Sequence, residues 1–329
     1  MGVVERKRIL VCGGSGFIGR NICSYFGADS AYEVYATCRQ DPDELDRKVS
    51  SVKYLQADLT NKDDVHRVVQ GMDVVLQAAA TTSGAKDIVN APYLHVTDNA
   101  IMNALLFRAC HEFAVSRVVF LSCTVMYSEQ PEPVKEEDFI GEIHDKYFAG
   151  GWTKVYHEKM CEFYSQLGAT KYTVLRHSNI YGPYDKFDLE RSHVFGATMT
   201  KVLTAEDGKI VVWGDGTDER DFLYVEDLME CIRLTLEKQT MPFDLLNVGF
   251  GRSVSICELV QKIIRASGRD LTVEFDLTKP TIGFKLNLNI NKVKSRYAWA
   301  PVISLDDGIL KTLKWYSDNV FKISLSGSA

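Results

Sequence analysis

The chain has 329 residues, of which 46% are hydrophobic and 25% charged, with a formal net charge of −6 at pH 7. This composition is typical of one large or two closely packed globular domains. An acidic chain without clustered lysines and arginines does not suit nucleic acid, because neutralising phosphates requires positive charge. No apolar run approaches the roughly 20 residues that span a bilayer, and the N-terminal residues lack a secretory pattern. We therefore expect a cytoplasmic protein without nucleic-acid or membrane partners.

Strand-like apolar runs alternate with amphipathic helical segments through the first half of the chain. The predicted strands are 9–12, 33–38, 54–56, 73–77, 117–121 and 172–175. The predicted helices are 17–26, 61–70 (with Asn61 as N-cap), 92–113 and 152–167. This alternation predicts an α/β fold with a doubly wound parallel sheet of the Rossmann type.

The regular alternation ends after about Arg176, where short strands, loops and helices are mixed. The clearest later strands are 209–213 and 244–248. We predict a dinucleotide-binding domain of residues 1–176 plus about 221–245. A smaller mixed α/β lobe, 177–220 and 246–329, is expected to bind substrate over the carboxyl ends of the sheet strands.

A glycine-rich turn follows the first predicted strand and begins the first predicted helix. Gly13, Gly16 and Gly19 have the spacing GxxGxxG, and Phe17 and Ile18 begin the helix. The first glycine permits a tight turn, the second lets a pyrophosphate approach backbone N–H groups, and the third lets helix pack on strand. This placement predicts a nicotinamide dinucleotide site.

The end of the second strand bears on which dinucleotide binds. An NAD site usually has an acidic residue there for the ribose hydroxyls, but the strand ends in Thr37-Cys38-Arg39-Gln40, and no acid precedes Asp41. Arg39 and Arg20 are candidates to pair with a 2′-phosphate. We favour NADP over NAD; the alternative is that either arginine is simply solvated.

Further motifs follow the glycine turn in a fixed order. They are Asp58-Leu59, Ala78-Ala79-Ala80, Asn99, Ser122 to Tyr127, Gly151-Trp152-Thr153-Lys154, Leu175 to Pro183, Ser192-His193-Val194, Trp213 to Gly216, Arg220 to Asp227 and Asn247-Val248-Gly249. With the glycine turn, they resemble the extended short-chain dehydrogenase/reductase family. The resemblance covers roughly residues 8 to 316 and is to the nucleotide-sugar epimerases, dehydratases and 4-ketoreductases.

The resemblance implies binding roles for several of these residues. Asp58 and Leu59 would contact the adenine, and Ala78, Ala79 and Ala80 would line the cofactor. Substrate contacts would come from Asn179 and Arg220 at a diphosphate, with Trp213 and Val194 nearby. A guanidinium suits a diphosphate on physical grounds as well; the alternative for Arg220 is a salt bridge to Asp221 or Asp227. The implied substrate is a nucleotide-diphosphate sugar, and no metal site is expected.

The catalytic positions depart from the family pattern. The family uses a Tyr acid/base, a Lys four residues later, and a Ser or Thr on the same substrate oxygen. Here Lys154 matches the Lys, but Gly150 stands at the Tyr position and Cys123 at the Ser/Thr position. Because a thiol donates weakly, Thr124 is a candidate substitute. His193 is either an acid/base or only a lining residue.

The glycine at position 150 has three explanations. It is an introduced substitution, or the natural enzyme uses another acid such as Tyr147, His193 or a water, or the protein binds without catalysing. The family's 4,6-dehydratases carry Asp-Glu directly after the catalytic Thr, where this chain has Thr124-Val125, so 4,6-dehydration is not expected. The fucose synthases carry a second acid/base Cys at the position of Val125, so 3,5-epimerisation is not expected either. The resemblance therefore implies a 4-epimerase or a 4-ketoreductase.

The resemblance also implies a homodimer. The contact would use the helices around residues 95–112 and 152–167. The apolar faces of these helices do not by themselves distinguish a dimer contact from core packing.

Overall fold

A computed structural model describes residues 6–81, 93, 96–189, 192–279 and 285–321. Its strands are β1 (Lys7–Cys12), β2 (Tyr32–Cys38), β3 (Val52–Gln56), β4 (Val74–Gln77), β5 (Arg117–Ser122), β6 (Lys171–His177), β7 (Asn179–Tyr181), β8 (Lys209–Trp213), β9 (Glu219–Tyr224), β10 (Phe243–Val248), β11 (Ser253–Ser255) and β12 (Thr272–Asp276). Its α-helices are α1 (Phe17–Gly27), α2 (Lys62–Val69), α3 (Thr97–Glu112), α4 (Phe148–Ser165), α5 (Val194–Thr204), α6 (Val225–Lys238), α7 (Ile256–Ser267), α8 (Asn291–Tyr297) and α9 (Leu305–Tyr316).

The large sheet has the strand order β3-β2-β1-β4-β5-β6-β10, and every neighbouring pair is parallel. Its central strands are continuous apolar runs because helices cover both faces; Ile9 to Cys12 of β1, for example, are fully buried. The predicted doubly wound parallel sheet is confirmed. Its topology brings the carboxyl ends of β1, β4, β5 and β6 to one edge.

The helices begin and end where local chemistry allows. The Asn61 side chain accepts hydrogen bonds from the backbone N–H groups of Asp63 and Asp64, which confirms it as the N-cap of α2. Ser255 caps α7 in the same way, and α7 ends at Gly268 in the left-handed conformation. Such caps satisfy N–H groups that have no partner within the helix.

The second half of the chain builds smaller sheets next to the large one. Strand β9 pairs parallel with β7 and antiparallel with β11, and β8 pairs parallel with β12. A separate apolar cluster forms around Phe195, Met199 and Phe222. Strand β10 belongs to the large sheet and ends at Val248, three residues beyond the predicted boundary near 245. The division into two domains remains a prediction.

Helices α4 and α3 are the two whose predicted starts differ from the first described helical residue. Helix α4 begins at Phe148 rather than near Trp152, after a 3-10 turn at Asp145–Tyr147. The pair Gly150-Gly151 has low helix propensity, but Gly151 is buried against Ile143, and this packing holds the first turn. The predicted helix start at Pro92 lies outside the described residues, and the described helix α3 begins at Thr97.

Candidate functional site

The glycine turn lies where β1, β2 and β4 approach one another. Gly13 has φ +77°, and a Cβ there would be 2.8 Å from the Ala79 Cα. A Cβ at Gly19 would be 2.0 Å from the Gly13 carbonyl oxygen. The Thr37 hydroxyl accepts a hydrogen bond from the Gly13 backbone N–H at 3.0 Å. Both glycines are therefore required by close backbone approach, and the turn is fixed to the end of β2.

The amino end of α1 has the features that a pyrophosphate site needs. Gly16 is the N-cap and has no side chain to accept from the first helical N–H groups. Phe17 and Ile18 are the first two residues of α1, so their amides are donors at the positive end of the helix dipole. The residues present fit a dinucleotide at this turn.

The two arginines near the expected ribose site differ in their surroundings. Arg20 donates through Nη2 to Asp46 at 2.6 Å and through Nε to the Ser15 carbonyl oxygen at 2.8 Å. Arg39 follows β2 and is exposed, and its carbonyl oxygen accepts a hydrogen bond from Gln56. Arg20 is thus held by protein groups, whereas Arg39 lies at the surface beside the turn.

The remaining predicted cofactor residues lie on loops at the same edge. Leu59 is buried and Asp58 is exposed. The Asp58 carboxylate accepts from the Thr60 N–H and hydroxyl. The loop with Ala78, Ala79 and Ala80 follows β4. At its far end, the Asn99 side chain of α3 accepts a hydrogen bond from the Thr81 backbone N–H and donates one to the Thr81 carbonyl oxygen, both at 3.0 Å. This side chain supports the loop.

Lys154 and Gly150 share one face of α4, since they are four residues apart. The Lys154 ammonium donates to the Leu121 carbonyl oxygen at the end of β5 at 2.9 Å, and burial lowers its pKa. Among the described residues, nothing lies within 4 Å of where a Cβ on Gly150 would stand. The position of the family's tyrosine is thus open space beside an anchored lysine.

Cys123 and Thr124 follow directly after β5. Burial raises the pKa of the Cys123 thiol, and the charge of Lys154 partly opposes this rise. The neighbouring Ser122 is not available to a substrate, because its hydroxyl donates to the buried Glu158 carboxylate at 2.6 Å. Thr124 is buried, so the first hydrogen-bonding group at the Ser/Thr position is a neutral thiol.

Tyr147 lies at the N-cap of α4, one turn before Gly150. It is half-buried. Burial raises the pKa of its hydroxyl; Arg220 opposes this effect, while Cys123 and Asp218 add to it. Tyr147 therefore lies within electrostatic range of both Cys123 and Arg220.

The sequence did not single out His177, the last residue of β6. Its Nδ1 lies 2.8 Å from the Ser178 carbonyl oxygen. Burial lowers the pKa of His177 to about 4; the hydrogen bond to Ser178 opposes this effect, while Lys154 and His193 add to it. The only sequence signal was its position two residues before Asn179, at the end of a sheet strand.

The predicted diphosphate residues lie on the small sheet. The Asn179 amide donates to the Asp221 carbonyl oxygen at 3.1 Å. Arg220 forms an ion pair with Asp218 at 3.2 Å, so the alternative partners Asp221 and Asp227 are wrong. Asp221 instead accepts from the Phe250 and Gly251 N–H groups, and Asp227 from those of Val302 and Ile303.

The other predicted substrate residues lie at the ends of their elements. Trp213 ends β8 with 52% exposure, and the ammonium groups of Lys201 and Lys279 each lie 5.8 Å from its ring centre. His193 is the N-cap of α5, and Val194 begins that helix. Desolvation, followed by the charge of Lys186, lowers the pKa of His193.

Within the described ranges, no group of three or more His, Cys, Asp or Glu side chains could hold a metal ion. In the same part of the chain, no helix has the length and apolar character needed to cross a membrane.

Relatives of known activity match nearly the whole chain. It is 28% identical over 315 residues to GDP-L-colitose synthase of Yersinia pseudotuberculosis, covering 94% of this chain and 97% of the relative. It is 29% identical over 319 residues to GDP-L-fucose synthase of Azorhizobium caulinodans, covering 94% and 96%. These relatives act on nucleotide-linked sugars.

Solved structures share the same fold. UDP-glucose 4-epimerase of Thermotoga maritima, solved with UDP-glucose, superposes with a TM-score of 0.84 at 24% identity, covering 95% of this chain and 99% of that one. UDP-glucuronic acid 4-epimerase of Bacillus cereus, in complex with UDP-glucuronic acid and NAD, gives 0.81 at 25% identity, covering 94% and 99%. The profile of the "NAD dependent epimerase/dehydratase family" matches residues 9–249. The chain therefore belongs to the NAD-dependent epimerase/dehydratase family, the extended branch of the short-chain dehydrogenases/reductases.

Proposed function

We propose that this protein is a nucleotide-sugar 4-epimerase or 4-ketoreductase that uses NADP(H). The observation that carries the proposal is the position of Lys154, which is anchored to the end of β5 beside Cys123, with open space at Gly150. This arrangement keeps the lysine that the family places against the nicotinamide ribose. The bound dinucleotide would supply the hydride acceptor or donor.

The cofactor half of the proposal rests on the glycine turn. The uncapped amides of Phe17 and Ile18 suit the pyrophosphate. Exposed Arg39 suits a 2′-phosphate better than Arg20, which is already paired with Asp46. This difference supports NADP over NAD.

The substrate half rests on groups that suit a sugar diphosphate. The Arg220 side chain is mostly buried and forms an ion pair with Asp218, and its planar guanidinium has the geometry that suits a diphosphate. Asn179 lies on the neighbouring strand β7. The named relatives act on GDP-linked sugars, which supports the same substrate class here.

A non-catalytic binding protein is the second candidate, and Gly150 is the observation that favours it. Without a tyrosine, the family's proton carrier is absent, and losing a catalytic acid typically costs about 10²–10⁴ in rate. The two candidates differ in whether the native chain turns over any nucleotide sugar.

The deciding experiment is an assay of the native protein and Gly150→Tyr on GDP-, UDP- and dTDP-linked sugars with NADP(H) and NAD(H). We expect measurable turnover by the native chain. Gly150→Tyr is expected to raise kcat about tenfold or more, because nothing obstructs a side chain there. Gly150→Ala is the matched control, since it fills the helix position without a hydroxyl. An absence of turnover in the native chain and in Gly150→Tyr would contradict an enzymatic function.

We also propose a homodimer through α3 and α4, which pack against each other. Apolar side chains of α4 remain exposed at Phe148, Trp152, Tyr156 and Phe163, and Ile101 of α3 is exposed as well. The first three are four residues apart and share a helix face. A second copy of the chain is the occupant that would bury this face.

A further inference from the structure

A histidine ends the strand that neighbours the one from which Cys123 extends. His177 ends β6, and β6 is the direct neighbour of β5, from which Cys123 and the Leu121 anchor of Lys154 extend. Ser122 of β5 is in register with Arg176 of β6. His177 and Cys123 therefore leave the sheet side by side at the edge that holds the candidate site.

The hydrogen bond of His177 fixes which of its nitrogens carries a proton. A carbonyl oxygen only accepts, so Nδ1 must be the donor to the Ser178 carbonyl oxygen at 2.8 Å. A neutral imidazole with its proton on Nδ1 has a lone pair on Nε2. Within the described part of the chain, Nε2 has no hydrogen-bond partner, and it is not among the fully enclosed unpaired atoms.

Burial is the main reason that the ring of His177 stays neutral in the resting protein. It lowers the pKa of His177 to about 4; the hydrogen bond to the Ser178 carbonyl oxygen opposes this effect, and Lys154 and His193 add to it. At neutral pH the Nε2 lone pair is therefore available as a base. No other imidazole among the described residues is influenced by both Lys154 and His193 in this way.

We propose that His177 is the proton carrier of this site, with Nε2 acting on the oxygen of the reacting sugar carbon. This proposal rests on the proposed function. When the alcohol is oxidised, its O–H bond breaks and the proton goes to Nε2, while hydride leaves the same carbon for the oxidised nicotinamide. In the reverse direction, Nε2–H returns the proton to the sugar oxygen as hydride returns to carbon.

The three alternative donors fit this role less well. The Cys123 thiol has a pKa raised by burial and donates weakly. Tyr147 is seven residues before Lys154, and its electrostatic neighbours are Cys123, Arg220 and Asp218 rather than Lys154. His193 lies at the N-cap of α5, and Lys186 is the charge that acts on it.

The first test needs no substrate. Nitrogen-15 NMR of the imidazoles, with His177 assigned through His177→Asn, is expected to show a neutral ring protonated on Nδ1 near neutral pH. An Nε2-protonated tautomer or an imidazolium would overturn the proposal, because neither offers a base at Nε2.

The second test compares His177→Asn with the native protein on a nucleotide sugar that the native protein converts. Asn keeps a donor for the Ser178 carbonyl oxygen but has no basic nitrogen. We expect kcat to fall about 10²-fold, while the affinity for NADP(H) stays within about twofold of native. Adding Gly150→Tyr to His177→Asn is expected to recover activity, since a phenol would then fill the open position.

The control is His66→Asn on α2, which removes an imidazole that is paired with Glu112 and is not part of the candidate site. A kcat of His177→Asn within about threefold of native would overturn the assignment, as would a loss that tracks cofactor affinity or one that Gly150→Tyr does not recover. Failure of the proposed function is a different result, because the native protein would then convert no nucleotide sugar.

Discussion

Arg20 and Arg39 are the two arginines near the expected ribose site, and their surroundings differ. Arg20 forms a 2.6 Å ion pair with Asp46, and its guanidinium carbon lies 5.9 Å from the centre of the Tyr184 ring. To bind a ligand phosphate it would have to leave these groups. Arg39 has an exposed side chain at the end of β2, and this side chain makes no hydrogen bond or ion pair with a described residue that a new charge-assisted hydrogen bond would break.

We therefore predict that Arg39→Ala weakens NADP binding about tenfold or more, since a hydrogen bond to a charged group contributes about 1.5–3 kcal/mol. NAD affinity of the same variant is expected to be unchanged, because NAD has no 2′-phosphate. Fluorescence titration of both cofactors measures this. Arg39→Lys is the control, which keeps the charge but not the planar fork. An equal loss for NAD and NADP would show that Arg39 does not contact a 2′-phosphate.

Helices α1 and α4 both have a glycine at their third position, and the two glycines have different reasons to be there. A Cβ on Gly19 of α1 would be 2.0 Å from the Gly13 carbonyl oxygen, whereas a Cβ on Gly150 of α4 would meet nothing within 4 Å among the described residues. Gly19 is required because helix α1 packs directly on the backbone of the glycine turn. Gly150 is not required by any contact of this kind.

Gly19→Ala and Gly150→Ala form a matched pair at the scale of the element. We expect Gly19→Ala to lower the free energy of unfolding by about 1–3 kcal/mol and to weaken cofactor binding, because the turn must move. Gly150→Ala is expected to raise it by about 0.5 kcal/mol, since Ala loses less backbone entropy in a helix. Urea unfolding and cofactor titration measure both. Equal responses of the two variants would contradict this account of the turn.

At the scale of the whole molecule, the exposed aromatic residues of α4 predict self-association. The native chain of 37.0 kDa is expected to sediment as a dimer of twice that mass. We expect Tyr156→Asp with Phe163→Asp to give monomers, because burying unpaired carboxylates in an apolar contact is costly. Leu310→Asp, on the exposed side of α9, is the control that stays dimeric. Sedimentation velocity distinguishes these outcomes; a native monomer would contradict the dimer.

Much of the fold was predictable from the sequence because it depends on local patterns. Continuous apolar runs such as Ile9 to Cys12 predict buried parallel strands, and Asn61 has the chemistry of an N-cap. The start of α4 was missed because a glycine pair is a poor helix former, and only the contact of Gly151 with Ile143 shows why the helix includes it. Propensity is local, and tertiary packing overrides it.

The candidate site was predictable only in part, for the same reason. The sequence by itself determined the glycine turn, the lysine of α4 and the missing tyrosine, because these follow from residue type and spacing along one element. The tertiary structure decided that Arg20 is paired with Asp46 and that Gly150 faces open space. It also placed His177 at the end of the strand next to β5, within electrostatic range of Lys154. These facts depend on distances between elements far apart in the chain, which strand order and side-chain packing set and local sequence patterns do not encode.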